Sequence, residues 1–353
     1  MPKTSDIPEL SPRRGRRNLR LVGGVVITGL FVLLAVFADF LAPYSHDHQS
    51  RNTPRAPATT VHFSARHGPV IYPLSLADPL RFQYEEDRSR PYPLGFFVRG
   101  DRYKFLGIID AERHLFGVAE PGPDAPRIHL LGTDALGRDR LSRLLHAVRF
   151  SLIVAPLGML LASLIGILMG IISGYATRGV DTFLMGAADA MLSLPALVLI
   201  LAARAAFPLE LPPMRAGLLL VTIFAVVGWA EMARLTRSLV RSVREREFVL
   251  AAKASGLTGG RILFRHILPN ISRPLITQAT LILPAFLLAE VALSFLGVGL
   301  QEPVPSLGNM LAAAADLTQL RQHPFLLLAP AIVIFVFIFG VRLLADGLER
   351  EKV

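Results

Sequence analysis

"SLIVAPLGMLLASLIGILMGIISGYA", residues 151–176, runs 26 residues without a charged side chain. A hydrocarbon layer is crossed by about 20 apolar residues wound as a helix, because in lipid only a helix satisfies its own backbone. Five further runs of this kind flank it: Leu21–Leu41, Phe183–Ala203, Ala216–Ala233, Leu275–Leu300 and Phe325–Leu344. The expected fold class is therefore all-α and integral to a membrane, with six spans. Composition agrees, since 52% of the 353 residues are hydrophobic, the mean hydropathy is +0.49, and the apolar residues are gathered into blocks. The first run follows "RRGRRNLR" (13–20) but exceeds the ~7–15 residue core of a secretory signal. No small-residue cleavage site follows it, so it reads as an uncleaved anchor.

Lysine and arginine in the short segments set the orientation. With the N-terminus inside, the cytoplasmic pieces carry Lys3, Arg13, Arg14, Arg16, Arg17 and Arg20, then Arg178, nine basic residues from Arg234 to Arg273, and finally Arg350 and Lys352. The short external loops carry Arg204, Arg215 and Arg321. Both termini are expected in the cytoplasm. The formal charge of +10 is distributed to suit a membrane surface, and no nucleic-acid partner is expected.

The predicted organisation is a basic N-terminus (1–20), a first span (21–41), an extracytoplasmic segment (42–149), a five-helix core (150–346) with a cytoplasmic loop at 236–273, and a short tail (347–353). Residues 45–128 are rich in Pro, Arg and aromatics. Here "GFFVRGDRYKFLGI" (95–108) reads as a hairpin turning at Gly100 and Asp101, within a small, partly β subdomain. That subdomain is either a structural cap or a docking surface for an extracytoplasmic partner. In "HLLGTDALGRDRLSRLLHAVRFSL" (129–152), Leu141, Leu144, Leu145 and Val148 recur at helical spacing with arginines opposite. This predicts an amphipathic helix lying at the interface.

"REFVLAAKASGLTGGRILFRHILPN" (246–270) is different in kind. A helix from Leu239 to Ala254 places Leu239, Val243, Leu250 and Ala254 on one stripe and Phe248, Ala251 and Ala252 opposite, where small residues let another surface approach. Gly256 suits a left-handed cap, and a second helix is expected to start in "RILFRHILPN" and to end or kink at Pro269. Two short helices at a tight corner form a lever outside the membrane; a solvated connector is the plain alternative.

These residues resemble the EAA loop of permease subunits of binding-protein-dependent ABC importers, with Ala251, Ala252, Gly256, Leu268 and Pro269 at the matching spacing. "HLLGTDALGRDRLSRLL" (129–145) and "ALSFLGVGLQEPVPSLGNML" (292–311) resemble the dipeptide, oligopeptide and nickel branch, C-type subunit. The likeness covers roughly residues 10–44 and 129–350. Leu250 stands where the motif has glutamate, with Glu247 one turn earlier, and His266 stands at an isoleucine position. The resemblance implies a type I importer permease fold and a coupling site at Glu247, Phe248, Leu250, Ala251, Ala252, Gly256, Leu268 and Pro269. It also implies a second permease subunit, two ATPase subunits that bind ATP-Mg, an extracytoplasmic substrate-binding protein, and the bacterial cytoplasmic (inner) membrane as location.

The chain itself is not expected to be an enzyme or to hold a cofactor or metal. None of its four lysines, Lys3, Lys104, Lys253 and Lys352, lies in a phosphate-cradling G-x-x-x-x-G-K-[ST] loop. There is no cysteine, which excludes a disulfide framework and a thiolate site and leaves the redox compartment open. "HDH" (46–48) lacks a third ligand placed by the sequence, so it reads as a solvated loop. A secondary transporter would need intramembrane ionisable groups, for which Asp189 and Glu290 are the candidates; both read better as hydrogen-bonded at helix interfaces. A receptor using the external loop as sensor would need a cytoplasmic signalling domain. The prolines at 156, 195, 284 and 330 are expected in spans, where they bend helices or are simply tolerated.

Overall fold

The computed structural model describes residues 14–350 except 67, 121, 123, 124, 314–319 and 321–323. Lys3, Arg13, Arg321 and Lys352, which entered the charge count, lie outside the described residues, as does the end of the tail.

Helix α1 (Arg14–Val36) is followed by a short α2 (Ala38–Leu41) and by the insertion's strands β1 (His62–Ser64), β2 (Gly68–Ile71), β3 (Leu74–Asp78), β4 (Gln83–Glu86), β5 (Tyr92–Phe105) and β6 (Ile109–Val118). The strands form a four-stranded antiparallel sheet in the order β1-β2-β5-β6 and a separate β3-β4 hairpin. The core then comprises α3 (Arg140–Tyr175), α4 (Arg178–Leu192), α5 (Ala196–Ala205), α6 (Pro213–Arg244), α7 (Glu247–Ala254), α8 (Gly259–Ile262), α9 (Leu268–Phe295), α10 (Leu307–Ala313) and α11 (Pro324–Arg350).

Among the described residues five helices are long and apolar enough to cross a membrane, and α4 with α5 makes a sixth span if the pair, bent by 87°, is one broken span. The span expected at Phe183–Ala203 is thus broken at Pro195, one of the prolines expected to bend a helix. Pro195 sits at the bend as the N-cap of α5, where it cannot donate a hydrogen bond to continue α4. Pro156 and Pro284, by contrast, lie inside α3 and α9.

Small residues bring α3 and α6 together. A methyl group built on Gly158 would come within 2.8 Å of Phe224, on Gly166 within 2.6 Å of Met232, on Gly170 within 2.5 Å of Thr236 and on Gly174 within 2.8 Å of Val240. The offset is constant and both series ascend, so the helices are parallel, and only glycine permits this approach. Helix α1 instead runs antiparallel to α11: Gly340 meets Ile27, Leu344 meets Gly24 and Gly347 meets Leu21. The start of α1 and the end of α11 therefore share one side of the molecule. Arg149 near the start of α3 donates to the Ala35 carbonyl near the end of α1, so the far end of α3 lies on that side, and the end of α6 joins it there, where Arg244 Nη1 donates to the Gly174 carbonyl, 2.6 Å away.

In the segment 42–149 one expectation is overturned and another is refined. The hairpin does not turn at Gly100 and Asp101, which lie within β5 at a register shift between Arg99 and Tyr103. It turns at Leu106 and Gly107, both at positive φ (51° and 74°), with the Ile108 N–H bonded to the Phe105 carbonyl at 3.1 Å. That backbone matches the twist of the strands. The helix expected through Leu141, Leu144, Leu145 and Val148 is present, but as the first turns of α3 and not as a separate element. Residues 129–139 form a folded loop capped by Asp139, whose carboxylate accepts from Ser142 N–H at 2.7 Å. From Arg140 the chain enters α3, where Arg140 and Arg143 are buried along with Leu144 and Leu145.

Candidate functional site

The stretch 246–270 forms an elbow at the end of the molecule where α1 starts and α11 ends. Helix α6 stops at Arg244, and the chain breaks at Glu245 and Arg246 before α7 begins. This break resets the helical phase, so the expected continuous stripe from Leu239 to Ala254 is corrected. Val249 and Ala252 face inward and join the same apolar cluster as Val240, Val243, Ile262 and Ile267. Phe248, Leu250 and Ala251 face outward. Ala252 is thus 8% exposed, separated from Ala251, while Leu250 is 53% exposed.

Gly256 closes α7 as the sequence led us to expect. Its φ is 79°; its N–H bonds the Lys253 carbonyl at 3.0 Å, and Leu257 N–H bonds the Ala252 carbonyl at 3.2 Å. These are the two bonds of a Schellman cap. Leu257 packs back on the core, fixing the corner.

The second arm differs from expectation. A second helix begins, at Gly259, but it does not end at Pro269 and runs on through a π turn to Phe295. Leu263–Ile267 is a π turn, with Leu268 N–H reaching back to the Leu263 carbonyl, and Pro269 occupies the first turn of α9. The wider turn accommodates a residue that has no N–H to give. Leu268 packs partly against the core, while Pro269 is exposed.

The outer face of the elbow is therefore apolar islands in a basic field. Phe248, Leu250 and Phe264 are exposed among Arg246, Lys253, Arg261 and Arg265, with Glu247 beside them. Phe264 was missed in the sequence; an aromatic between two arginines in "RILFRH" was the available signal. Such a surface beyond the membrane suits a protein partner. Nearby, Asp181 of α4 is clamped by Arg237 at 2.5 Å and Arg241 at 2.8 Å, tying α4 to α6.

At the opposite end, the two other quoted motifs meet. Arg143 Nη2 lies 2.8 Å from Glu302 Oε1, Arg138 Nη1 lies 2.7 Å from Glu302 Oε2, and Arg143 Nη1 donates to the Pro303 carbonyl at 3.1 Å. Arg138 also pairs with Asp134 at 2.6 Å. Burial opposes the charge of Arg138, but Asp134 and Glu302 outweigh it and raise its pKa. Neither Arg143 nor Glu302 was singled out in the sequence, since their partnership spans most of the core.

Glu290 is fully buried in α9 and hydrogen-bonded as expected, accepting from Ser151 Oγ at 2.7 Å and Ser294 Oγ at 3.0 Å. Asp189 of α4 pairs with Arg234 of α6 at 3.4 Å, a contact between helices whose two side chains are both largely exposed. Among the described residues no His, Cys, Asp or Glu group could hold a metal ion; the His46 ring instead rests 4.6 Å from that of His146.

Residues 166–352 match the family model described as binding-protein-dependent transport system inner membrane component, and residues 13–58 match the N-terminal TM domain of oligopeptide transport permease C. The chain belongs to this family of inner-membrane transport components. It is 38% identical to the dipeptide transport system permease protein DppC of Alkalihalophilus pseudofirmus, over 65% of this chain and 72% of that protein. It is 37% identical to the di/tripeptide transport system permease protein DppC of Pseudomonas aeruginosa, over 62% and 70%. The oligopeptide transport system permease protein OppC of Bacillus subtilis is 33% identical over 63% and 70%. The chain is thus a C-type permease subunit of an ABC importer, a transmembrane component and not itself an enzyme.

Proposed function

We propose that this permease moves peptides across the cytoplasmic membrane, with the elbow at 246–270 as its coupling site to two ATPase subunits. The observation that carries the reading is the outward face of α7 and the π turn, where Phe248, Leu250 and Phe264 stand exposed on a rigid, glycine-capped corner. Phe248, Leu250 and Ala251 would contact the ATPases; Val249, Ala252 and Leu257 would hold the corner against the core. Glu247 supplies the one acidic side chain of α7 beside the vacant glutamate position at Leu250. ATP-Mg would bind in the ATPases, whose closure rocks the helices between two access states. A second permease subunit would complete the pathway, and an extracytoplasmic binding protein would deliver the peptide.

The elbow and both termini would lie in the cytoplasm, as the basic residues of the elbow favour. The peptide class follows the relatives' names, which are those of dipeptide, di/tripeptide and oligopeptide permeases. The test is uptake of labelled di- to oligopeptides by vesicles, together with recovery of the ATPase subunits with a tagged chain. Replacing Phe248 and Leu250 with aspartate should abolish both while leaving the inserted amount intact. Retention of both would return the elbow to a solvated connector. Reporters inserted at Ser255 and at Ser89 should report opposite sides of the membrane; the same side for both would sink the orientation.

A further inference from the structure

The β5-β6 hairpin ends in Leu106, Gly107, Ile108 and Ile109, and its apolar side chains point away from the subdomain: Leu106 is 54%, Ile108 81% and Ile109 61% exposed. Three such residues at one tip form the kind of patch that marks an interaction surface. Where the tip sits decides what that surface meets. The Phe105 ring lies 5.6 Å from that of Phe37, at the end of the first span. Leu106 itself lines a cleft of about 500 Å³ with Val32, Ala35 and Val36 of α1 and Ile153 and Pro156 of α3. Val32, Ala35 and Val36 belong to the apolar stretch Leu19–Val36 that qualifies as a membrane span. The tip is therefore level with the outermost turns of that span, beside it and not above it.

We propose that the β5-β6 hairpin is a membrane anchor, with Leu106, Ile108 and Ile109 seated among phospholipid acyl chains of the outer leaflet. Its surface continues the lipid-facing side of α1, where Val25, Val26, Leu30, Val32 and Leu33 are likewise exposed. Charge begins one rung above the tip, with Lys104 opposite Asp110, at the level where a headgroup layer would solvate both. An apolar tip under a charged collar is the pattern of an interfacial anchor. The subdomain is then held at two points, by its covalent ends and by the tip. His114 strengthens this seat from above, bridging the Ala42 carbonyl at 2.5 Å and the Asp101 carbonyl at 2.9 Å.

The chain has no cysteine, so a single spin label can be placed at will. Ile108→Cys and Ser89→Cys variants, assembled with their partner subunits in phospholipid nanodiscs and labelled with a nitroxide, would be compared for relaxation by oxygen and by a water-soluble nickel chelate, after subtraction of the unmutated complex. Ser89 precedes β5, whose 14 residues at about 3.3 Å each carry it far from the tip. Oxygen should dominate at Ile108 and the chelate at Ser89. Chelate dominance at both sites would overturn the anchor. So would shielding of Ile108 from both agents, which would assign the tip to a protein partner. Leu106→Cys labelled with and without Ile108→Asp gives a second reading: the aspartate should shift the label toward chelate exposure, and no shift would also count against insertion.

Discussion

Arg143 and Glu302 meet at 2.8 Å although 159 residues separate them. One stands near the start of the first core helix and the other in the loop after α9, so their pairing ties these two elements at the end of the core opposite the elbow. Arg143 is almost fully buried while Glu302 is half exposed. An exposed pair contributes little, whereas a guanidinium left buried without a partner is costly. Alanine at either position should lower the thermal midpoint of the purified complex. In a double-mutant cycle the two should couple by about 1 kcal/mol; strictly additive effects would deny the pair any mutual contribution.

Ala251 and Ala252 separate docking from folding. Arginine at the outward Ala251 should leave the inserted amount unchanged and reduce both peptide uptake and ATPase recovery. Arginine at the buried Ala252 should reduce the inserted amount itself, because a charge is forced among Val249, Ile262 and Ile267. Quantitative blotting of membranes beside uptake reads the two effects, and equal loss of protein in both variants would mean that the outward face is structural.

Gly256 has open space around its α-carbon, with no atom within 4 Å of an added methyl. Its replacement therefore costs backbone conformation and not contact. Gly256→Val should cost roughly 1–2 kcal/mol at the cap and impair uptake, with Gly256→Asn milder because asparagine tolerates a left-handed backbone. Equal impairment by Asn and Val would point to contact with a partner instead.

His46 should make the end of the molecule opposite the elbow acid-sensitive. Burial first, and then the neighbouring charge of His146, lowers its pKa from 6.5 to about 4. Between those values the unfolded chain takes up a proton that the folded chain refuses. Stability is therefore intact above about pH 6.5 and declines as pH falls toward 4. His46→Phe should narrow the difference in thermal midpoint between pH 7 and pH 5; an unchanged difference would place the acid response elsewhere.

The spans were legible because hydrocarbon imposes a length and a composition that few alternatives share. The cap at Gly256 was legible because left-handed backbone selects glycine. What escaped depends on partners or on phase. The stripe through α7 was misassigned because two non-helical residues, Glu245 and Arg246, rotate everything after them. The hairpin turn was displaced because Leu106 adopts positive φ, which its side chain does nothing to advertise. The arginines of 138–143 were set facing water because the carboxylate that permits their burial lies in another motif. The α3-α6 seam was written plainly in glycines at 158, 166, 170 and 174, but a glycine series shows a close approach without naming what approaches.

That seam has a mechanical consequence. Meshed in parallel at every turn and tied at the end by Arg244 and the Gly174 carbonyl, α3 and α6 cannot slide past one another without steric collision, so they form one strut. The elbow hangs from one end of it and Arg143 is fixed near the other, with about 31 residues of α3 between Arg143 and Gly174, or roughly 47 Å at 1.5 Å per residue. A force applied to the elbow is then carried as a tilt of a stiff beam. The Glu302 contact lies at the far end of the load path, where a small rotation gives the largest displacement.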